Sequence, residues 1–337
     1  MKLFQKVYRW IILSVVIQLL ILVFFNNYYL DKKGASVQVV KYKELGGFQV
    51  PTGAANIKTS FDGKYAGCFL ENKLFIYSLD KKMEKAMNSE EEIVSYYKWL
   101  PDRETMIYAL IKPETSQGVL EIKTYDVTTE LESSYPVMKN LPKASEIIGI
   151  ELSPLTNVVY VEVKINNDEK NIYRFDIMDN LDYVMTTALD TNIKEMHYSD
   201  QLVIQNNKKK IIIRNGKNNV SKSIFLEKKS VLLGLDAEDN VFVGELDKDN
   251  NVVAVNYRNF SKDAVETWQQ NPLKGAALAK DIVITPKGDI YIVKENSLFN
   301  VIKDLEIPFA GTYVEISNNN LVTIENNELK LSPMPKE

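Results

Sequence analysis

The chain has 337 residues, of which 45 % are hydrophobic and 26 % charged, a composition that excludes a chain disordered throughout. The net charge is −4, and because the three charges before Asp31 are all positive, the remaining residues together carry −7. A domain of that sign has no general attraction for phosphate backbones, so we predict no nucleic-acid partner.

The first predicted element is a membrane anchor at residues 10–30. This segment contains no charged side chain, and as a helix it would span roughly 31 Å, about the thickness of a bilayer core. Trp10 at one end and Tyr28 and Tyr29 at the other suit the two membrane interfaces. A cleaved signal peptide is the alternative, but the bulky residues that follow the apolar run offer no small-residue cleavage site.

The orientation of this anchor is predicted from the charges around it. Lys2, Lys6 and Arg9 precede it, and Lys32 and Lys33 follow it, so the charge difference is small. We expect the short tail in the cytoplasm and the large domain outside; a domain that remains in the cytoplasm is the alternative. The predicted parts are a tail (1–9), a transmembrane signal anchor (10–30), a tether (31–36) and a folded domain (37–337).

The folded domain repeats one short pattern of turn and strand. Ser60-Phe61-Asp62-Gly63-Lys64 predicts a tight turn, because Asp bonds to the backbone that follows it and Gly tolerates a positive φ. A short apolar run, a polar break and the alternating strand Leu74–Leu79 come next. Such a fragment of antiparallel sheet cannot bury its faces alone, so its copies must pack against one another.

The spacing of these copies predicts an all-β propeller of about seven four-stranded blades. The turns recur about every 43 residues, a period typical of propeller blades, starting near residues 60, 100, 153, 199, 236, 285 and 317. Six or eight blades remain alternatives because the spacing is uneven. The last unit shows only three strands, and we expect the N-terminal strand Val37–Lys43 to supply the fourth and close the ring.

Two segments do not fit the strand pattern. Glu84–Ser95 is charged and is predicted to be a loop or a helical turn, and Phe260–Ala279 is predicted to be a long crossing between blades. Long loops on a rigid scaffold are where binding sites tend to lie.

The repeat resembles that of TolB-like propellers and of the propeller domains of dipeptidyl peptidase IV-like proteins. Their S-P-D-G-K … I-Y-x-x-D-L pattern is similar to Ser60–Asp80, to Ser153–Ile177 and, in its turn, to Thr285–Asp289. The resemblance implies a propeller that binds other proteins, and it implies no catalytic residue. The Lys-, Asn- and Ile-rich composition resembles that of low-GC Gram-positive bacteria.

The sequence contains little catalytic or metal-binding chemistry. Cys68 is the only cysteine and His197 the only histidine, which excludes disulfides within the chain, cysteine zinc sites and histidine cages. The calcium-like start Asp247–Asn251 continues with Val252 where a calcium loop needs Gly, so a hairpin turn is the better interpretation. We predict no catalytic residue, no metal site and no cofactor.

Aromatic residues are the candidates for contact with a partner. Trp268, Tyr96 and Tyr97 are predicted to lie on a binding face, whereas Trp99 is expected to pack in the core. The leading hypothesis is a non-catalytic, membrane-anchored scaffold that binds another envelope protein. A receptor for a small ligand or a cell-wall glycan is the alternative, and an enzyme with a carboxylate cluster in the central channel is a third.

Overall fold

The structure is a computed structural model that describes residues 48–71, 73–78, 84–112, 117–176, 178, 180–218, 220–260 and 267–335, together with positions 14, 15, 17, 18 and 21. Its contacts divide the chain into two units, Met1–Lys43 and Glu44–Glu337. The five positions described in the first unit are helical and exposed. Within the described residues, no helix is both long enough and apolar enough to cross a membrane. The rest of the predicted anchor, the tail 1–9 and the tether 31–36 lie outside the described residues.

The second unit consists of seven antiparallel sheets, which we number as blades 1 to 7. Strand β1 (Phe48–Gln49) comes first in the chain but belongs to the last blade. Blade 1 consists of β2 (Ala55–Thr59), β3 (Tyr65–Leu70), β4 (Lys73–Ser78) and β5 (Glu84–Ala86). Blade 2 consists of β6 (Ile93–Trp99), β7 (Thr105–Lys112), β8 (Gly118–Asp126), β9 (Leu131–Ser134) and β10 (Met138–Leu141), and both β9 and β10 pair with β8.

The remaining blades have four strands each. Those of blades 3 and 4 are β11 (Glu146–Ser153), β12 (Val158–Lys164), β13 (Glu169–Phe175), β14 (Leu181–Ala188), and β15 (Asn192–Glu195), β16 (Gln201–Asn207), β17 (Lys210–Asn215), β18 (Ser221–Phe225). Those of blade 5 are β19 (Ser230–Leu235), β20 (Asn240–Leu246), β21 (Val252–Asn259) and β22 (Gln269–Ala277). Blade 6 consists of β23 (Ile282–Ile284), β24 (Ile290–Val293), β25 (Ser297–Asn300) and β26 (Leu305–Pro308), and a 3-10 turn, Ala279–Asp281, precedes β23. Blade 7 consists of β27 (Thr312–Ser317), β28 (Asn320–Glu325), β29 (Glu328–Pro333) and β1.

The blades form a closed ring. First strands of neighbouring blades contact one another, which places these strands nearest to the axis. Seven apolar cores lie between the blades, one at each junction from blades 1 and 2 round to blades 7 and 1. Because each sheet buries its two faces against its neighbours, no blade is stable alone, and the predicted seven-bladed propeller is confirmed.

The strand that closes the ring differs from the predicted one. Phe48 pairs with Leu329 and Gln49 with Glu328, so β1 is the fourth strand of blade 7. Phe48 also packs on the core between blades 7 and 1, with its ring centre 4.5 Å from that of Tyr77. Closure by an N-terminal strand is therefore confirmed, but the residues are 48–49, and Val37–Lys43 lies outside the described residues.

The repeated turn has the predicted geometry. Gly63 and Gly288 have φ values of +74° and +81°, and the backbone N–H of Lys64 donates to Asp62 Oδ1 at 2.9 Å. Where the glycine is lost, Asn157 and Asp239 occupy the left-handed region, with φ values of +52° and +61°. Asn and Asp tolerate this conformation better than other side chains, so the turn survives the substitution.

Both segments that did not fit the strand pattern contain outer strands. Phe260–Ala279 includes β22, and Glu84–Ser95 includes β5 and the start of β6. The predicted crossing and loop are therefore wrong at these positions. Most side chains of β22 are exposed on both faces, so the strand lacks the apolar alternation by which the inner strands are recognised.

Candidate interaction groove between blades 4 and 5

The three residues predicted to contact a partner lie in two different blades. Tyr96 and Tyr97 are neighbours on β6 in blade 2, whereas Trp268 immediately precedes β22 in blade 5. The fold therefore does not gather them into one binding face. The two tyrosines also differ from each other, because successive side chains of a strand point to opposite faces of the sheet.

Tyr97 is a structural residue of the junction between blades 1 and 2. Its side chain is fully buried, and its hydroxyl donates to the carbonyls of Asn56 and of Gly67, the latter at 2.7 Å. Burial raises the pKa of Tyr97 well above its usual value. A Cβ at Gly67 would lie 2.8 Å from the Tyr97 ring, so the ring fills the space beside this glycine. Tyr97 offers no surface to a partner.

Tyr96 and Trp99 serve other neighbours. Trp99 is buried and its Nε1 donates to the Lys58 carbonyl at 3.1 Å, so the predicted core role is confirmed. Tyr96 is half-buried against the core between blades 2 and 3. Burial, reinforced by the Glu151 carboxylate, raises the pKa of Tyr96 to about 12. A contact of Tyr96 with a partner remains a prediction.

Trp268 lines a groove between the outer parts of blades 4 and 5. It is half-buried, and its ring meets that of Phe260 edge-on, with 5.7 Å between the centres and 78° between the planes. The groove has a volume of about 560 Å³, within the range of roughly 300–1,000 Å³ typical of ligand sites. One wall consists of the seven consecutive residues Lys222–Lys228, and Trp268 and Gln270 lie on the other side.

Arg258 is the most unusual residue of this groove. It lies on β21, is only 8 % exposed, and its guanidinium carbon is 4.8 Å from the centre of the Phe260 ring. Its Nε has no hydrogen-bond partner, and among the residues that the structure describes no carboxylate forms an ion pair with it. A buried guanidinium without a counter-charge is costly, since Arg is almost never buried unless it is paired.

Arg174 is another buried arginine of this fold, and its guanidinium is paired with carboxylates. Arg174, 5 % exposed, donates to Asp200 through Nε at 3.0 Å and Nη2 at 2.7 Å, and also reaches Asp182 at 3.3 Å. Burial alone would lower the pKa of Arg174, but the Asp200 carboxylate outweighs it and raises this pKa. Arg258 has no such partner within the described residues.

Arg214 is the counterpart of Arg258 in the preceding blade. Each lies on the third strand of its blade opposite the second residue of the second strand, Leu202 for Arg214 and Val241 for Arg258. Arg214 crosses the junction and donates to the Val184 carbonyl on the outer strand of blade 3, at 3.1 Å. At the next junction the groove separates Arg258 from the outer strand of blade 4.

Two further charges of the groove pair with each other. Lys228 lies 2.6 Å from Glu245, and Gln270 donates to the second oxygen of the same carboxylate at 3.2 Å. A second groove, of about 570 Å³ between blades 5 and 6, is lined by Lys274 and Lys294, which pair with Asp304 and Glu306 at 2.5 and 3.0 Å. Within the described residues, both lysines of the second groove thus have a carboxylate partner, whereas Arg258 in the first groove has none.

Acidic residues near the axis form internal contacts. Glu151 on β11 lies 2.5 Å from Lys194 and 3.4 Å from Lys98. Burial alone would raise the pKa of Glu151, but the two ammonium groups outweigh burial, so this pKa is lowered. Glu195 is 5 % exposed, and burial together with the Glu151 and Asp200 carboxylates raises its pKa to about 9. None of these residues lines either groove.

His197 takes part in the structure through its backbone. Its N–H donates to Asp239 at 2.5 Å, and its carbonyl accepts a hydrogen bond from Ser153 Oγ at 2.6 Å, which links the turns of blades 3, 4 and 5. In the described part of the chain, no group of three or more His, Cys, Asp and Glu side chains is placed to hold a metal ion.

The seven sheets define a seven-bladed β-propeller. No protein-family model and no curated protein matches the sequence. Among solved structures, the chain is similar to TolB from Acinetobacter baumannii, with 13 % identity, a TM-score of 0.44, and coverage of 85 % of this chain and 66 % of that one.

It is also similar to Porphyromonas gingivalis dipeptidyl peptidase 4, with 10 % identity, a TM-score of 0.47, and coverage of 75 % of this chain and 44 % of that one. A third similar structure is the WD40 domain of SCAP from fission yeast, at 13 % identity and TM-score 0.47, with 85 % of each chain covered. The chain thus spans less than two thirds of the peptidase and about two thirds of TolB.

Sequence reasoning identified Trp268 but missed Arg258 and Phe260. Arg258 gives no signal of its own, because a cation at the end of a predicted strand is ordinary. Its importance comes from β18, which folding brings to the same groove from a distant part of the chain.

Proposed function

We propose that this protein is a non-catalytic propeller, anchored in the cytoplasmic membrane, that binds another protein of the cell envelope through the groove between blades 4 and 5. The observation that carries the proposal is the groove itself, in which the Phe260 ring contacts both Trp268 and the buried Arg258, a cation with no counter-charge among the described residues. Tryptophan and arginine are the side chains most enriched at the energetic centres of protein interfaces.

The anchor and its orientation are supported by the sequence. Twenty-one uncharged residues, 10–30, are long enough to span a bilayer, and aromatic residues stand at both ends. With the tail 1–9 in the cytoplasm, the propeller lies outside and the groove faces other components of the envelope.

A non-catalytic role is supported by the state of the interior carboxyl groups. Glu151 is held by two lysines, and Glu315 accepts hydrogen bonds from the backbone and hydroxyl of Thr59 at 2.7 and 2.8 Å. Groups engaged in this way join neighbouring blades. Neither Glu151 nor Glu315 lines the groove between blades 4 and 5 or the groove between blades 5 and 6.

A receptor for a small ligand or a cell-wall glycan is the second candidate. The observation in its favour is the volume of the groove, which suits a small molecule as well as a protein segment. The two candidates differ in what is retained by the protein: another polypeptide in the first case, and none in the second.

The test is crosslinking in intact cells followed by purification of the tagged full-length chain. We expect a specific envelope protein to be retained, and Trp268→Ala to reduce its recovery at least several-fold. Leu278→Ala, in the groove between blades 5 and 6, is the matched control and should retain the partner in full. Recovery of the chain without any partner would contradict the scaffold function and favour the receptor.

A further inference from the structure

We infer that the groove binds an extended segment of the partner protein that carries an Asp or Glu side chain between apolar residues, and that Arg258 is the residue that recognises its carboxylate. This inference rests on the proposed function that the groove binds a protein. It adds the chemical class of what is bound and the position at which it is recognised.

The electrostatics of the groove require an anion at one place. The described arginines of the neighbouring blades all have acceptors, Arg174 in carboxylates and Arg214 in a backbone carbonyl. Arg258 is buried to a similar extent as Arg174, but no carboxylate of the described residues forms an ion pair with it. The cost of removing the Arg258 charge from water is already included in the folding of the protein. A bound segment that supplies a carboxylate would therefore form an ion pair with Arg258 in an environment with little water.

The aromatic residues determine which side of Arg258 is available. The guanidinium carbon of Arg258 lies over the Phe260 ring, 4.8 Å from its centre, and Trp268 contacts Phe260 edge-on. A guanidinium that stacks on a ring directs its N–H donors outward in its own plane. A planar carboxylate matches that arrangement with two parallel hydrogen bonds, whereas an amide offers a single acceptor and no charge.

The shape of the groove indicates an extended chain. Seven consecutive residues, 222–228, line it, and a strand of that length extends over roughly 24 Å. Leu226 donates to the Lys209 carbonyl, and Asn215 donates to the Val220 carbonyl. The alternation of an antiparallel ladder therefore directs the backbone groups of Ser223 and Phe225 away from β17.

This outer edge of β18 has no strand beside it among the described sheets. An extended segment laid along the edge would pair with Ser223 and Phe225, as in β-strand addition. Ile224, Leu226 and Val243 line the groove beneath and give apolar contacts for the residues that flank the acid. Phe225, 78 % exposed, offers a further apolar contact at the rim.

The test begins with a phage-displayed library of random 12-residue peptides selected on the purified full-length chain in detergent. The proteins are the unaltered chain, Arg258→Gln, Arg258→Lys and the control Leu278→Ala. We expect the unaltered chain and Leu278→Ala to enrich peptides with an acidic residue between apolar ones. We expect Arg258→Gln to lose that enrichment, and Arg258→Lys to retain only part of it because the paired N–H donors are gone.

One enriched peptide and its Asp→Asn or Glu→Gln form are then synthesised and titrated against each protein. The amide form should bind the unaltered chain about 10- to 100-fold more weakly than the acid form, the factor expected for one hydrogen-bonded charge pair. The two forms should bind Arg258→Gln with equal affinity. Enriched peptides without an acid, equal selection by Arg258→Gln, or no enrichment at all would overturn the inference. Equal melting temperatures of the four proteins, or a higher one for Arg258→Gln, show that the differences come from recognition.

The capture experiment in cells separates this inference from the proposed function. If the unaltered chain and Arg258→Gln retain the same partner equally, the scaffold function holds and the recognition by Arg258 is wrong. If peptides are recognised through Arg258 but no protein is captured in cells, the recognition holds and the scaffold function is wrong.

Discussion

The guanidinium of Arg258 lies 4.8 Å from the centre of the Phe260 ring, and no carboxylate of the described residues pairs with it. A cation–π contact at a desolvated site offsets part of the cost of burying this charge, by roughly 2 kcal/mol. It does not replace a counter-ion. Burial of Arg258 is therefore expected to cost stability.

Removal of the Arg258 charge should therefore not weaken the fold. We expect Arg258→Met to leave the free energy of unfolding unchanged or to raise it by up to about 2 kcal/mol, because the buried charge is lost together with its contact to Phe260. Thermal unfolding of the full-length chain followed by circular dichroism measures this change.

Arg174→Met is the matched comparison for Arg258→Met. It removes an equally buried guanidinium but leaves Asp200 without its partner, so a loss of about 3–5 kcal/mol is expected. A loss of similar size for both substitutions would show that Arg258 has a structural counter-charge after all.

Closure of the ring depends on a strand of two residues. Phe48→Ala removes the ring that packs on Tyr77 and on the core between blades 7 and 1, and should cost about 1–3 kcal/mol. Gln49→Ala, at an exposed position of the same strand, should change stability by less than about 0.5 kcal/mol. Equal effects of the two substitutions in chemical unfolding would argue against closure by Phe48.

The carboxyl group of Glu195 should make stability depend on pH. Burial and the Glu151 and Asp200 carboxylates raise its folded-state pKa to about 9, so between about pH 4.5 and 9 the folded chain holds a proton that the unfolded chain releases. Its contribution to stability is present below pH 4.5 and is lost as the pH rises, by up to about 1.4 kcal/mol per pH unit.

Glu195→Gln removes this dependence. The variant should melt at a higher temperature than the unaltered chain at pH 8, and the difference should shrink towards pH 5. Glu130→Gln, at an exposed turn position, is the control and should follow the unaltered chain at every pH. A constant difference between Glu195→Gln and the unaltered chain would contradict the raised pKa.

The predicted membrane anchor can be tested by placing charged side chains in residues 10–30. The double substitution Leu19→Arg and Leu20→Arg places two cations at the centre of residues 10–30, at about 2.5–3.5 kcal/mol each, and should move the protein from the membrane to the soluble fraction. Gln18→Leu raises the hydrophobicity of the same segment and should leave the protein in the membrane. In cells stripped of their wall, added protease should digest the propeller; a protected propeller would reverse the predicted orientation.

The repeat architecture was largely readable from the sequence, because its signals are local. The turn at Ser60–Lys64 needs a residue that tolerates positive φ, and each inner strand needs apolar alternation. Asn157 and Asp239 preserve the same turn by the same physics, so the count of seven blades holds even where glycine is lost. The outer strands β5 and β22 were not predicted because few of their side chains are buried, and apolar alternation along the sequence marks only strands with a buried face.

The groove was decided by the tertiary structure. Trp268 was predicted to contact a partner from its place in the long crossing expected between blades, yet its neighbours Arg258 and Phe260 carried no signal. Arg258 differs from Arg174 because no carboxylate of the described residues pairs with it, and that depends on which blades meet. Tyr97 illustrates the opposite case, because its contact with Gly67 in the next blade turned a candidate surface residue into a buried one.

By itself, then, the sequence determined the class of fold, the number of blades and the predicted anchor, because turn chemistry, strand alternation and an uncharged apolar run are properties of neighbouring residues. The tertiary structure decided which strand closes the ring and which buried cation has no counter-charge among the described residues. These are relations between residues far apart in the chain, and they exist only once neighbouring blades have buried their faces against each other.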